Sequence, residues 1–146
     1  MLSIPNATDI PLFEFKSEFF GVLLVWDSIG TNEDELVAVG KKLIDQGAVY
    51  VCCWGPGCEK LHDAIDHADQ ENDRPGDAVL MTTWHDDEPL SEALWFFINT
   101  AFPHELYESE CRGSIAIVID NQSWADECSD ALSKPRQFSQ QALAES

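Results

Sequence analysis

Four short apolar runs, each followed by a stretch of helical periodicity, predict a three-layer α/β sandwich. The sheet is expected to be largely parallel, with four to five strands and helices on both faces. Two observations carry this. Each run is rich in β-branched residues and apolar at both alternating positions, the pattern of strands covered on both sides. Each following stretch has one apolar stripe at helical spacing. The chain has 146 residues, which suits one domain.

The runs are Val22-Leu-Leu-Val-Trp26-Asp27, Ala48-Val-Tyr-Val-Cys-Cys-Trp54-Gly55, Ala78-Val-Leu-Met-Thr-Thr-Trp84-His85-Asp86 and Ser114-Ile-Ala-Ile-Val-Ile-Asp120-Asn121. After the first, Asn32 or Thr31 caps a helix over 33–46. Leu36, Val39, Gly40 and Leu43 face inward, Glu33, Asp34 and Glu35 fill the first turn, and Gly47 is the stop. After the second, Gly55-Pro-Gly57 opens a helix over about 58–70, with Leu61, Ala64, Ile65 and Ala68 inward, and Asn72 to Gly76 is a loop. After the third, Pro89 takes the first helical position and the helix runs to about Phe102. After the fourth, Ser123 and Asp126 resemble a capping box for a short helix to about Lys134. The β-α repeat is that of flavodoxin- or Rossmann-like folds.

Residues 20–134 thus form the α/β domain. Residues 1–19 are expected as an N-terminal arm or an edge strand, with Leu12 to Phe15 as the strand candidate. Residues 135–146 are expected as a fraying polar tail. The third helix carries Trp95, Phe96 and Phe102 beyond its inward stripe. Leu12, Phe13 and Phe15 are expected to cover them, and a homodimer through residues 90–102 is the alternative.

Eight Lys and Arg against 27 Asp and Glu give a net charge of −19. That charge argues against nucleic-acid binding and against docking on anionic lipid. The longest apolar run, Phe19 to Trp26, is far below the roughly 20 residues of a membrane helix. Met1 to Asn6 lacks the basic start and apolar core of a signal peptide. Five cysteines are an odd count with no disulfide-framework spacing, so a reducing cytoplasm is expected.

In open α/β sheets, ligands bind beyond the carboxyl ends of the strands. In this chain those ends are Trp26, Asp27, Trp54, Gly55, Trp84, His85, Asp86, Asp120 and Asn121, an expected aromatic and acidic crevice suited to a cation or a stacked ring. The bland alternative is that the acids and Asn start turns and cap helices. Gly55 and Gly57 would let backbone approach a ligand closely. Cys58 at a helix N-terminus, with His62 one turn on, is a candidate nucleophile and base. Cys53, Cys58, His62 and His85 form a loose zinc set, and Asp27, Asp86 and Asp120 an oxygen set for magnesium. The sequence assigns neither, and no cofactor is expected beyond such a divalent ion. No P-loop, GxSxG, HExxH or GxGxxG occurs.

The segment Trp54-Gly-Pro-Gly-Cys58-Glu59-x-x-His62-Asp63 resembles a family of small bacterial proteins that carry a Trp-Gly-x-x-Cys-Glu-x-x-His-Asp signature and have no established activity. The resemblance spans about 20–132. It implies a bacterial cytoplasmic protein and marks Trp54, Cys58, Glu59, His62 and Asp63 as a unit. In size and charge alone, the chain is also similar to immunity proteins that neutralise basic toxins. The leading expectation is a small acidic binding protein, inhibitory or accessory, that acts on a basic protein partner through its negative surface. The alternative is a small enzyme or ligand-binding domain at the tryptophan-lined rim.

Overall fold

Five parallel strands form one sheet in a computed structural model that describes residues 1–12, 19–70, 80–107 and 111–145. In chain order they are β1 (Leu2–Ile4), β2 (Phe19–Val25), β3 (Ala48–Trp54), β4 (Met81–His85) and β5 (Cys111–Ile119), and their spatial order is β1-β5-β2-β3-β4. The helices are α1 (Glu33–Asp45), α2 (Cys58–Gln70), α3 (Leu90–Asn99), α4 (Gln122–Ser133) and α5 (Pro135–Glu145). The expected three-layer sandwich is therefore the fold.

Strand alternation divides the core. Val22 and Leu24 of β2 join Leu36 and Leu43 of α1 and Leu61 and Ile65 of α2. Leu23 and Val25 join Leu94 and Phe97 of α3 and Ala125 and Cys128 of α4 on the other face. Both faces of β2 are buried, which is why its sequence shows no polar alternation.

Several boundaries differ from those read in the sequence. Asn32 caps α1 as expected, accepting from the backbone N–H of Glu35 at 2.9 Å. The cap of α4 is Asn121, not Ser123: its side chain accepts from Trp124 N at 2.9 Å. Pro89 precedes α3 in extended conformation as its N-cap, and the helix stops at Asn99, before Phe102. Residues 135–145, expected as a fraying tail, fold as α5 against α3. Pro135 suits a helix start, and Phe138 packs on the α3–α4 core.

The N-terminal segment goes elsewhere than expected. Leu2–Ile4 is the edge strand β1, beside β5. Residues 7–11 lie along α1: Lys42 Nζ donates to Thr8 O at 3.3 Å, and Gln46 Nε2 donates to Pro11 O at 3.0 Å. Ile10 is buried in the α1–α2 core, and Leu12 is exposed. The arm therefore runs on the face opposite α3. Phe13, Phe15 and the loop at 72–76 lie outside the described residues. The apolar excess of α3 meets α5, while Phe102 remains 64% exposed.

Two loops are clamped at the carboxyl end of the sheet. Trp26 N donates to Trp54 O and Ser28 N to Pro56 O, both at 3.0 Å. Gly55 sits at φ +121°, and a Cβ there would stand 2.3 Å from Trp26 O. Gly30, at φ +86°, has open space around it. Gly55→Ala therefore meets a backbone clash that Gly30→Ala does not. In urea unfolding, Gly30→Ala should cost about 1 kcal/mol for the left-handed backbone alone, and Gly55→Ala about 2–4 kcal/mol. Equal losses would show that the loops are not held in this contact.

Candidate functional site

Register sets the rim. Ser3, Val118, Val25, Trp54 and His85 lie in one row across all five strands. The residues that follow, Trp26, Gly55, Asp86 and the nearby Asp120, therefore start their loops at one end of the sheet. The tryptophans share that rim but not one crevice. Trp54 points to the α3–α4 face, where its ring meets Trp124 edge-on at 5.0 Å. His85, in the same row, lies against Phe96 of α3 at 4.7 Å. Trp26 is buried in the α1–α2 core, and Trp84 meets His62 of α2 at 4.5 Å. The period of two along each strand separates them.

Several candidate ligand groups have structural partners. Asp27 Oδ1 accepts from Ile29 N at 3.2 Å, and Asp86 Oδ1 accepts from Asp87 N at 3.1 Å. These are turn-starting contacts. Asn121 caps α4. Asp120 is exposed in left-handed backbone, and its N–H donates to Ile4 O at 2.8 Å. Gly55 and Gly57 approach the protein itself: the former meets Trp26, and a Cβ on the latter would stand 2.8 Å from Ser28 Oγ.

The Cys58–His62 pair does not form. His62 Nδ1 stands 3.0 Å from Asp63 Oδ1, and Nε2 stands 3.4 Å from Asp66 Oδ2. No hydrogen bond joins His62 to Cys58 among the described residues. Cys58 is 1% exposed. Burial, then the nearby Asp86, push its thiol above the ordinary value, while backbone N–H groups, that of His85 foremost, pull it down. The helix-end activation expected at this position is thus outweighed. Neither metal set assembles: among the described residues, no three His, Cys, Asp or Glu side chains stand together as a metal site.

Three other constellations are built. The first is at the β4 edge. Asp66 accepts from the Thr82 hydroxyl and also faces His62, and Asp69 Oδ2 accepts from Leu80 N at 3.2 Å. These contacts tie α2 to β4 and hold the His62 ring against Trp84, which stays 46% exposed. The second is a cleft of about 290 Å³ that gathers Gly57, Cys58, Glu59, Lys60 and Asp86 beside Ser28. The third is a groove of about 720 Å³ between α3 and α5, with His85, Glu88 and Glu92 at one side and Trp95, Phe96 and Phe138 among its apolar lining.

A family model described as a domain of unknown function (DUF7684) matches residues 1–135. The chain belongs to this family. No curated protein sequence and no solved structure matches it. The match begins at the first residue and so takes in β1 and the arm along α1 as well as the α/β repeat. Among the described residues of this DUF7684 chain, no helix is long and apolar enough to cross a membrane.

Sequence reasoning missed Glu88, Thr83 and Phe138. In the neutral ring, His85 Nδ1–H donates to Glu88 Oε1 at 2.7 Å, because a carboxylate only accepts. Its Nε2 then accepts from the Thr83 hydroxyl at 3.0 Å. Trp54 Nε1 donates to Glu88 O at 2.9 Å, so one residue anchors two rim rings. The i,i+3 spacing of His85 and Glu88 was visible in the sequence. Phe138 was hidden by the polar average of its segment.

A raised thiol value makes the thiolate scarce near neutrality and lets it grow only as pH rises past the ordinary thiol range. Iodoacetamide labelling of the folded protein, read by mass spectrometry, should find Cys58 slower than the same thiol in denaturant by more than tenfold, with His62→Gln changing nothing. A Cys58 that reacts faster folded than unfolded would restore the nucleophile reading.

Proposed function

We propose that this chain is a non-catalytic binding protein that receives a basic protein partner at its acidic rim, with Trp84 as the anchor. The observation that carries this reading is the exposed indole on edge strand β4, propped by His62 between two carboxylates. Large aromatic rings held rigid at a surface are the usual anchors of protein interfaces. An indole face beside Asp63 and Asp66 attracts Lys or Arg twice, through the ring quadrupole and through charge. Asp63 and Asp66 keep exposed side chains, at 70% and 41%. The net charge of −19 extends the attraction to long range and speeds encounter with a cationic surface.

All five cysteines are free thiols, which supports a reducing compartment such as the cytoplasm. An inhibitory or accessory role is the form of this reading that a small, strongly acidic surface supports. The buried, raised thiol of Cys58 and the contacts of His62 with Asp63 and Asp66 favour binding over a Cys58–His62 nucleophile and base.

The test is titration of a lysine- and arginine-rich peptide into the protein, followed by fluorescence anisotropy at low and high salt. Binding should weaken as salt rises. Trp84→Ala should lose about 1–2 kcal/mol, roughly fivefold to thirtyfold in affinity, and Trp84→Phe less. Unchanged affinity in Trp84→Ala, or equal binding of a glutamate-rich peptide, refutes the reading.

A further inference from the structure

The groove between α3 and α5 lies on the other face of the sheet from Trp84. It has an uneven character. Trp95, Phe96 and Phe138 make it apolar, and the half-exposed end of α5 adds Leu143. At the β4–α3 end it carries two carboxylates, Glu88 just before α3 and Glu92 in its first turn. The Glu88 carboxyl beside it, sharing a hydrogen bond, holds Glu92 above the usual carboxylate range. Among the described residues no Lys or Arg pairs with either acid. Among the described residues, the nitrogen that the Glu88 carboxylate meets is His85 Nδ1, in a ring 9% exposed and fixed by Thr83 on its other side. Glu92 is exposed, and the hydrogen bond it shares with Glu88 is one that an ammonium donor can replace, with an apolar channel leading away from the pair.

From this we infer that the α3–α5 groove is a binding site for a small hydrophobic ammonium ion, an alkyl- or arylamine. The ammonium sits between Glu88 and Glu92, and the hydrocarbon lies along Phe96, Trp95 and Phe138. Charge complementarity selects the class. A cation relieves the repulsion between the two acids, an anion increases it, and a neutral alcohol gains the apolar burial alone. The volume of about 720 Å³ is that of a small-molecule pocket. The site does not depend on the partner surface at Trp84: neighbouring residues 84 and 85 point to opposite faces.

Isothermal titration calorimetry with n-octylamine, octanol and octanoate tests the assignment. Octylamine should bind at least about tenfold more tightly than octanol, and octanoate should not bind detectably. Glu92→Gln, at an exposed position where folding is not at risk, should bring octylamine to the level of octanol. Leu143→Arg, which places a cation on the groove wall, should weaken octylamine in a second, independent way. Trp84→Ala should leave octylamine unaffected, so failure of the peptide reading and failure of this one are separable. Equal binding of amine, alcohol and carboxylate, full amine affinity in Glu92→Gln, or no binding by any of the three overturns the proposal.

Discussion

The row of residues that runs straight across the sheet, Ser3–Val118–Val25–Trp54–His85, is the constraint on which the rest depends. All strands are parallel, so β2, β3 and β4 begin their exit loops one step past this row, and β1 and β5 two steps past it. The two central loops then meet closely enough that Trp26 N and Ser28 N donate to the backbone of the next loop. Gly55 is required at that meeting because no side chain fits between its backbone and Trp26 O. A slip of one residue would exchange every side chain between the two faces. Trp54 and Trp84 would trade places, and both the propped indole and the α3–α5 groove would be lost.

Alternation at the end of β4 gives the protein two unlike surfaces from adjacent residues. Trp84 stands on the α2 side, beside His62 and the carboxylates that hold it. His85 turns inward to the α3 side, where Thr83 and Glu88 fix both ring nitrogens. One surface is open and suited to a large partner. The other is a recess suited to a small one. Glu88 makes the recess rigid: its side chain holds His85, and its carbonyl holds the Trp54 indole.

The fold was legible in the sequence because its signals are local and repeated. The β2 run of buried residues, the Asn32 cap and the Gly47 stop all act within a few residues of where they stand. The site was legible only in part. The sequence placed the three strand-end tryptophans on one rim, but it does not show which face each takes until the register is known. Cys58 and His62 share a helix side, yet the pairing of His62 with Asp63 and Asp66 and the burial of Cys58 depend on tertiary packing. Helix α5 was missed for a related reason. Its polar average masks Phe138, and its stability comes from packing on α3 rather than from its own propensity.

The central claim is that one indole of the five, Trp84, faces a basic partner from the rim, while Trp26 and Trp54 serve the fold. A ¹⁵N-labelled sample resolves the tryptophan indole N–H signals, and titration with a lysine- and arginine-rich peptide reads each ring at once. The account predicts that the Trp84 signal moves first and furthest, with those of Trp26 and Trp54 unmoved. Shifts centred on the buried indoles, or spread evenly over all of them, would contradict it.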